Sequence, residues 1–382
     1  MSTDLLTAEI EQLPLVDHHV HGALRDEVDR AALEQLLTES DRPVPAWMTQ
    51  FDSQLGFAIR RWCAPVLGLA PHADPGSYLA RRRELGTDEV NRRLLRASGI
   101  GHYLLETGYK GDDILDVPGM ATASGRRVDE VVRLETVLED LVRAGVTADA
   151  LPDRFRETLA ARTATAVGLK SIIAYRYGFD FDPERPHDIE VAAAADTWLA
   201  ACEDTGTIRV DDPVLLRFLL WCGVDRGLPI QLHAGYGDPD VELHRCDPLL
   251  LTRFIKNVEP YGTDLLLLHC YPFQRNAGYL AQVFPHVYFD VGLGINYTGV
   301  RSDAVIAESL ELAPFAKILF SSDAWGPPEL HHLGALLWRR GMVKALTAWT
   351  DSGEWDVADA RKVVRMIGHD NACRVYGLET PE

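Results

Sequence analysis

The chain has 382 residues, 47% hydrophobic and 25% charged, and 38 Lys and Arg against 57 Asp and Glu give a formal net charge of −19. That balance suffices for a large buried core and excludes a disordered, collagenous or small disulfide-framed protein. So acidic a chain lacks the cations that bind nucleic acid or anionic lipid, and no apolar stretch is long enough to span a bilayer. The expected partner is a small-molecule substrate, with a homo-oligomer left open.

The opening MSTDLLTAEIEQLP is acidic and lacks the charged-then-apolar pattern of a signal peptide. Six scattered cysteines without a CxxC pair read as reduced thiols. Both features predict a cytoplasmic protein. The first apolar run, Leu15–Val20, predicts a strand. Residues 23–98 follow, rich in Leu, Ala and Arg at helical spacing (AALEQLL, SQLGFAIRRWCAPVLGL). A structureless loop of that length is uncommon. The segment is therefore predicted as a helical insertion capping one end of a single domain spanning residues 1–382.

Further runs lie at Ile100–Glu106, Val131–Glu135, Val167–Ala174, Pro229–His233, Asp264–His269, Val287–Val291 and Lys317–Ser321. Several are apolar without interruption, as parallel strands covered on both faces are. Helical stretches separate them, among them Asp211–Asp225, Ala304–Leu312 and Pro328–Leu346. Strands alternating with helices predict an α/β fold, a (β/α)8 TIM barrel. An open doubly wound sheet is the competitor; the strand count favours the barrel.

Barrel enzymes carry their chemistry at the C-terminal ends of the strands. The first run ends DHHVH, and period-two spacing puts Asp17, His19 and His21 on one face and His18 on the other, toward the helices. The fifth run ends at His233, the sixth at His269, and the eighth leads into Asp323. Imidazole and carboxylate suit zinc, manganese or iron. Any one of these histidines alone reads as an ordinary core residue; four strand ends carrying such groups predict a divalent metal, zinc first, as one or two ions.

The order DxHxH, then His, His and Asp at later strand ends, resembles the amidohydrolase superfamily of metal-dependent barrel enzymes, and within it the amidohydrolase-2 type. The segments VDHHVH, GLKSIIAYRYGFD, LPIQLHAGYGDPDVEL and KILFSSDAWGPPELHHLGA are similar to the amidohydrolase-like region of FluG and of nodulin–glutamine synthetase fusion proteins. The resemblance implies that His19, His21, His233 and Asp323 ligate metal. It implies that His269 ligates a second ion or orients the attacking water, with Asp323 as the proton carrier. Lys170 stands where binuclear members carry a carboxylated lysine that bridges two metals. A free ammonium has no lone pair to offer, so the alternative is a Lys170 paired with a carboxylate.

Arg133 and Glu135 share a face by spacing and either bind substrate or pair with each other. Arg176, between Tyr175 and Tyr177, suits a substrate carboxylate, or a structural ion pair. Asp238 and Asp240 either meet a substrate amine or cap turns. Trp325 either walls the pocket or packs under the insertion. The leading functional expectation is hydrolysis of a C–N amide bond in a small carboxylate-bearing substrate, with γ-glutamyl amides suggested by the resemblance. A metal-dependent decarboxylase or other lyase is the first alternative, and a non-catalytic partner module of a glutamine synthetase the second.

Overall fold

The computed structural model describes residues 2–379; residues 1 and 380–382 of the predicted domain lie outside that range. Seven parallel strands form one sheet in sequential order: β1 (Leu15–Val20), β2 (Ile100–Glu106), β3 (Arg127–Arg133), β4 (Gly168–Ser171), β5 (Ile230–Ala234), β6 (Leu265–His269) and β7 (Val287–Phe289). Helices lie between them, and the sheet curls into a TIM barrel.

The eighth run is a correction. The expected strand Lys317–Ser321 is an irregular segment with one bridge, Ile318 to Phe289. It still closes the ring. Leu319 N–H donates to Phe289 O at 3.0 Å on the β7 side, and His18 N–H to Phe320 O at 3.2 Å on the β1 side. Phe320 N–H turns instead to Ile367 O, 3.1 Å away near the C-terminus. With that donor diverted, no regular ladder forms. Strand β3 also differs: it begins at Arg127 and ends at Arg133, and Glu135 falls in the first turn of the helix Leu134–Arg143. The charged start RVDE hides this strand from a search for apolar runs.

The first strand holds the most consequential correction. Asp17 pairs with Tyr103 and Val20 with Leu105, so three steps on β1 span two on β2. Such a bulge reverses the alternation beyond it. Asp17 faces the helical layer, where it accepts from Ser322 N–H at 2.9 Å and from the Ser322 hydroxyl. His18 and His19 both point into the barrel: His18 reaches Asp290 and His19 reaches Gln231. The expected outward His18 and inward Asp17 are thus exchanged.

Two apolar bodies result. Inside the ring, Val16, Leu104, Val131, Leu266, Leu268 and Leu319 pack together, and Val375 and Tyr376 close the floor. Outside, strand residues such as Leu15, Leu105 and Leu232 pack against the helices. Residues 23–98 carry helices including Pro75–Leu85 and Thr87–Ala97. Glu329, buried in the first turn of the helix Pro328–Asp351, ties them down. It accepts from Arg82 Nε at 2.6 Å and from the Tyr78 hydroxyl at 2.7 Å.

Two predictions follow from this packing. Glu329→Ala leaves the Arg82 guanidinium buried without its anion and lowers unfolding stability by about 3–5 kcal/mol, read from denaturant titration. An unchanged midpoint would contradict the anchoring role. His332, on the same helix, is buried, and burial pulls it from 6.5 down to about 4 against the opposing pull of the Ala97 backbone. The folded chain therefore refuses a proton that the unfolded chain accepts. Stability from this residue is intact above pH 6.5 and is lost as the pH falls toward 4. Relative to His332→Leu, the wild type loses about 3 kcal/mol across that window in pH-dependent unfolding.

Candidate metal centre

The C-terminal ends of the strands converge on a cavity of about 380 Å³. His19, His21, Lys170, His233, His269 and Asp323 all line it. His19 Nε2 is 3.0 Å from Asp323 Oδ1, His21 Nε2 is 3.8 Å from the same oxygen, and His269 Nε2 is 3.4 Å from Asp323 Oδ2. Ligating atoms of His19, His21 and Asp323 all lie within 4.8 Å of one another.

The hydrogen-bond pattern assigns the protons on two of these rings. Gln231 Nε2 donates to His18 O at 2.6 Å and to the Tyr376 hydroxyl at 2.8 Å. A carbonyl only accepts, so the Gln231 amide nitrogen must face it, and Oε1 must face His19 Nδ1, 2.8 Å away. His19 therefore carries its proton on Nδ1 and presents a bare lone pair at Nε2. His21 behaves alike, with Nδ1 3.1 Å from Glu106 Oε2. The Nε2 lone pairs of both rings thus face the Asp323 carboxylate. With Asp323 ionised, lone pair faces lone pair at 3.0 Å, which is repulsive unless a proton or a cation lies between them.

Electrostatics favour the same state. Burial, with Lys170 next, holds His19 and His233 well below 6.5; burial, then His233 and Lys170, does so for His269. All three rings are held in the neutral form that a metal ligand requires. Burial pushes the Asp323 carboxyl well up, with Lys170 opposing. Burial raises Glu106 as well, but Arg133 and His21 outweigh it and hold the carboxyl at about 2. Burial pulls Lys170 down to about 8 against the attraction of Asp323 and Glu106.

The donor set fits a divalent cation. His233 Nε2 is buried without a hydrogen-bond partner, as is His269 Nε2. Orphaned imidazole nitrogens around a buried carboxylate are what an N/O-ligated ion satisfies. Behind them stands the support such ligands need. Asp290 Oδ1 accepts from His269 N–H at 2.9 Å, and its Oδ2 meets His18 Nε2 at 3.0 Å. His269 and Asp323 hold φ of 67° and 47°, a left-handed backbone rare for residues with side chains.

The remaining candidates divide. Trp325 walls the cavity, its ring centroid 5.3 Å from that of Tyr109. Arg133 and Arg176 line the cavity, each already paired: Arg133 with Glu106 at 2.7 Å, Arg176 with Glu139 at 3.1 Å. Glu135 does not reach it. Its carboxylate is buried against the Ser171 hydroxyl at 2.6 Å and Ile172 N–H at 2.9 Å, because helix geometry begins at Leu134 and breaks the expected alternation with Arg133. Lys170 Nζ is 3.5 Å from His19 Nε2.

Sequence reading missed Gln231 and Glu39. Gln231 had a signal: an amide two residues before His233, in an otherwise apolar strand, needs buried partners. Glu39 had none, since it comes from residues 23–98 with no motif around it. Replacing Gln231 with Leu frees the His19 tautomer and is expected to weaken zinc about 10–100-fold, measured by chelator competition. Unchanged affinity would show that the amide does not orient the ring.

Comparison with known proteins agrees with this geometry. A family model described as amidohydrolase matches residues 117–378. Protein fluG of Emericella nidulans is 28% identical over 408 residues, covering 97% of this chain and 46% of that protein. The chain thus spans just under half the length of this curated relative. A solved structure from Lactobacillus casei, provisionally assigned as a metal-dependent hydrolase, is 31% identical with a TM-score of 0.85 over 97% of each chain. A uronate isomerase from Bacillus halodurans is 13% identical with a TM-score of 0.66, covering 99% of this chain and 96% of that one, and shares the fold alone. With the family model matched over more than half its length, the chain belongs to the amidohydrolase family, in its amidohydrolase-2 type.

Proposed function

We propose that the protein is a divalent-metal hydrolase that cleaves a C–N amide bond in a small carboxylate-bearing substrate, a γ-glutamyl amide being the first candidate. The observation that carries this reading is the pair of outward-facing imidazole lone pairs opposite Asp323, in one cavity with Arg133 and Arg176.

In this reading His19, His21, His233 and Asp323 hold the ion, zinc first, with Lys170 and His269 beside it. When bound, the ion lowers the pKa of water toward neutrality and polarises the scissile carbonyl. Asp323 takes the proton of the attacking water, since burial already favours its protonated form. It then delivers that proton to the leaving nitrogen. His269, 3.4 Å from Asp323 Oδ2, steadies the carboxylate during the exchange. Arg176 receives the substrate carboxylate: its side chain is 9% exposed and its Nε has no partner. Trp325 and Tyr109 form an aromatic wall that limits water around the acyl group.

Zinc-loaded protein is expected to release free amine and glutamate from γ-glutamyl amides, with activity lost on chelation and in His19→Ala. Failure to release amine from any member of a broad amide panel would end the hydrolytic reading. Evolution of CO2 without amine would replace it with decarboxylation.

A further inference from the structure

The charges around the cavity are not evenly answered. Each of its three guanidiniums meets a carboxylate: Arg133 with Glu106, Arg176 with Glu139, and Arg209 with Asp240 at 2.9 Å. Two carboxylates lining the same cavity, Glu39 and Asp238, do not have the reverse. Among the described residues, neither has a cationic partner within 4.0 Å.

Glu39 lies in the bend after the helix Arg30–Gln35, and Asp238 in the loop after β5. They lie far apart in the sequence and repel one another. Burial, reinforced by Asp238, lifts the Glu39 carboxyl to about 7, which Tyr297 and Lys110 only partly offset. Lys110 places its ammonium over the Trp325 ring, 4.6 Å from the centroid, rather than on either acid. Bringing two carboxylates into one partly buried corner costs free energy unless a cation joins them.

A second observation ties this corner to a ligand. The same cavity holds His233, buried with Nε2 unpartnered, and Arg176, nine-tenths buried with Nε unpartnered. Receptors of both signs also adjoin. Arg209 acts electrostatically on Asp238 and on Arg176 alike, and Glu39 lines the same cavity and is acted on by Asp238, so acids and guanidinium share one space. Neighbouring receptors of opposite sign suit a group whose ammonium and carboxylate sit on one carbon.

We propose that the cavity receives the zwitterionic head group of an α-amino acid, with Glu39 and Asp238 taking the ammonium and Arg176 the carboxylate. This rests on the catalytic reading above and narrows its substrate class. It makes Glu39, supplied from outside the barrel, a specificity-determining residue.

The test is calorimetric binding to the zinc-loaded full chain at neutral pH. The probes are L-glutamine and its des-amino analogue glutaramate, which differ only in the α-ammonium. The wild type is expected to bind L-glutamine about tenfold more tightly or better, as loss of a charge-assisted contact implies. Glu39→Gln and Asp238→Asn are each expected to shrink that preference. Equal binding of the two probes, binding of neither, or an undiminished preference in both variants overturns the assignment. Hydrolysis is judged separately. If the wild type selects L-glutamine while no amide is cleaved, the head-group assignment stands and the hydrolytic reading falls.

Discussion

A bare imidazole nitrogen faces a carboxylate oxygen across 3.0 Å inside a buried cavity. With the carboxylate ionised, both atoms present lone pairs and repel, whereas burial favours the protonated acid. A shared proton or a cation between them removes the repulsion, and the chain spends much of its interior holding the pair in place. Gln231 turns the His19 ring by accepting its Nδ1 proton, and Tyr376 with the His18 carbonyl turns Gln231. Glu106 does the same for His21 and is itself clamped by Arg133. Removing a supporting group leaves the ligand's atoms in place but frees the wrong tautomer to form.

This chain of support runs the length of the barrel. Tyr376 stands among the apolar residues that close the floor, while its hydroxyl touches Gln231 and His18. His18 in turn holds Asp290, which fixes the His269 backbone. The floor and the mouth are therefore one polar column inside an apolar ring. Buried polar groups of this kind are tolerable only when each is satisfied. The orphaned atoms that remain at the mouth, His233 Nε2 and His269 Nε2, lie where an ion completes the set.

Charge neutrality sets the limits of the site. Lys170 is buried and drawn down to about 8, so near neutral pH it is close to losing its proton. Four neutral imidazoles and Asp323 surround it. The same cavity is lined by Glu39 and Asp238, carboxylates without a paired cation among the described residues, and by guanidiniums that already have anions. A divalent metal fits the first imbalance, and the substrate proposed above, carrying both signs, would fit the second.

Fold class, family and most of the candidate residues that line the cavity were legible in the sequence. Apolar runs of strand length placed β1, β2, β5 and β6 to within a residue at either end, because parallel strands covered on both faces are mostly apolar apart from the residues they carry to the site. His19, His21, His233, His269 and Asp323 were legible because each ends or follows such a run. The tertiary structure alone decided which way the residues of β1 face, since one extra residue in the strand is invisible to a period-two count. It also decided that Glu135 turns away, that the eighth segment is irregular, and that Gln231 and Glu39 reach the site. Those outcomes depend on a bulge, a helix start and contacts between residues more than a hundred positions apart, and apart from the lone amide of Gln231 in an apolar strand they leave no mark in local composition.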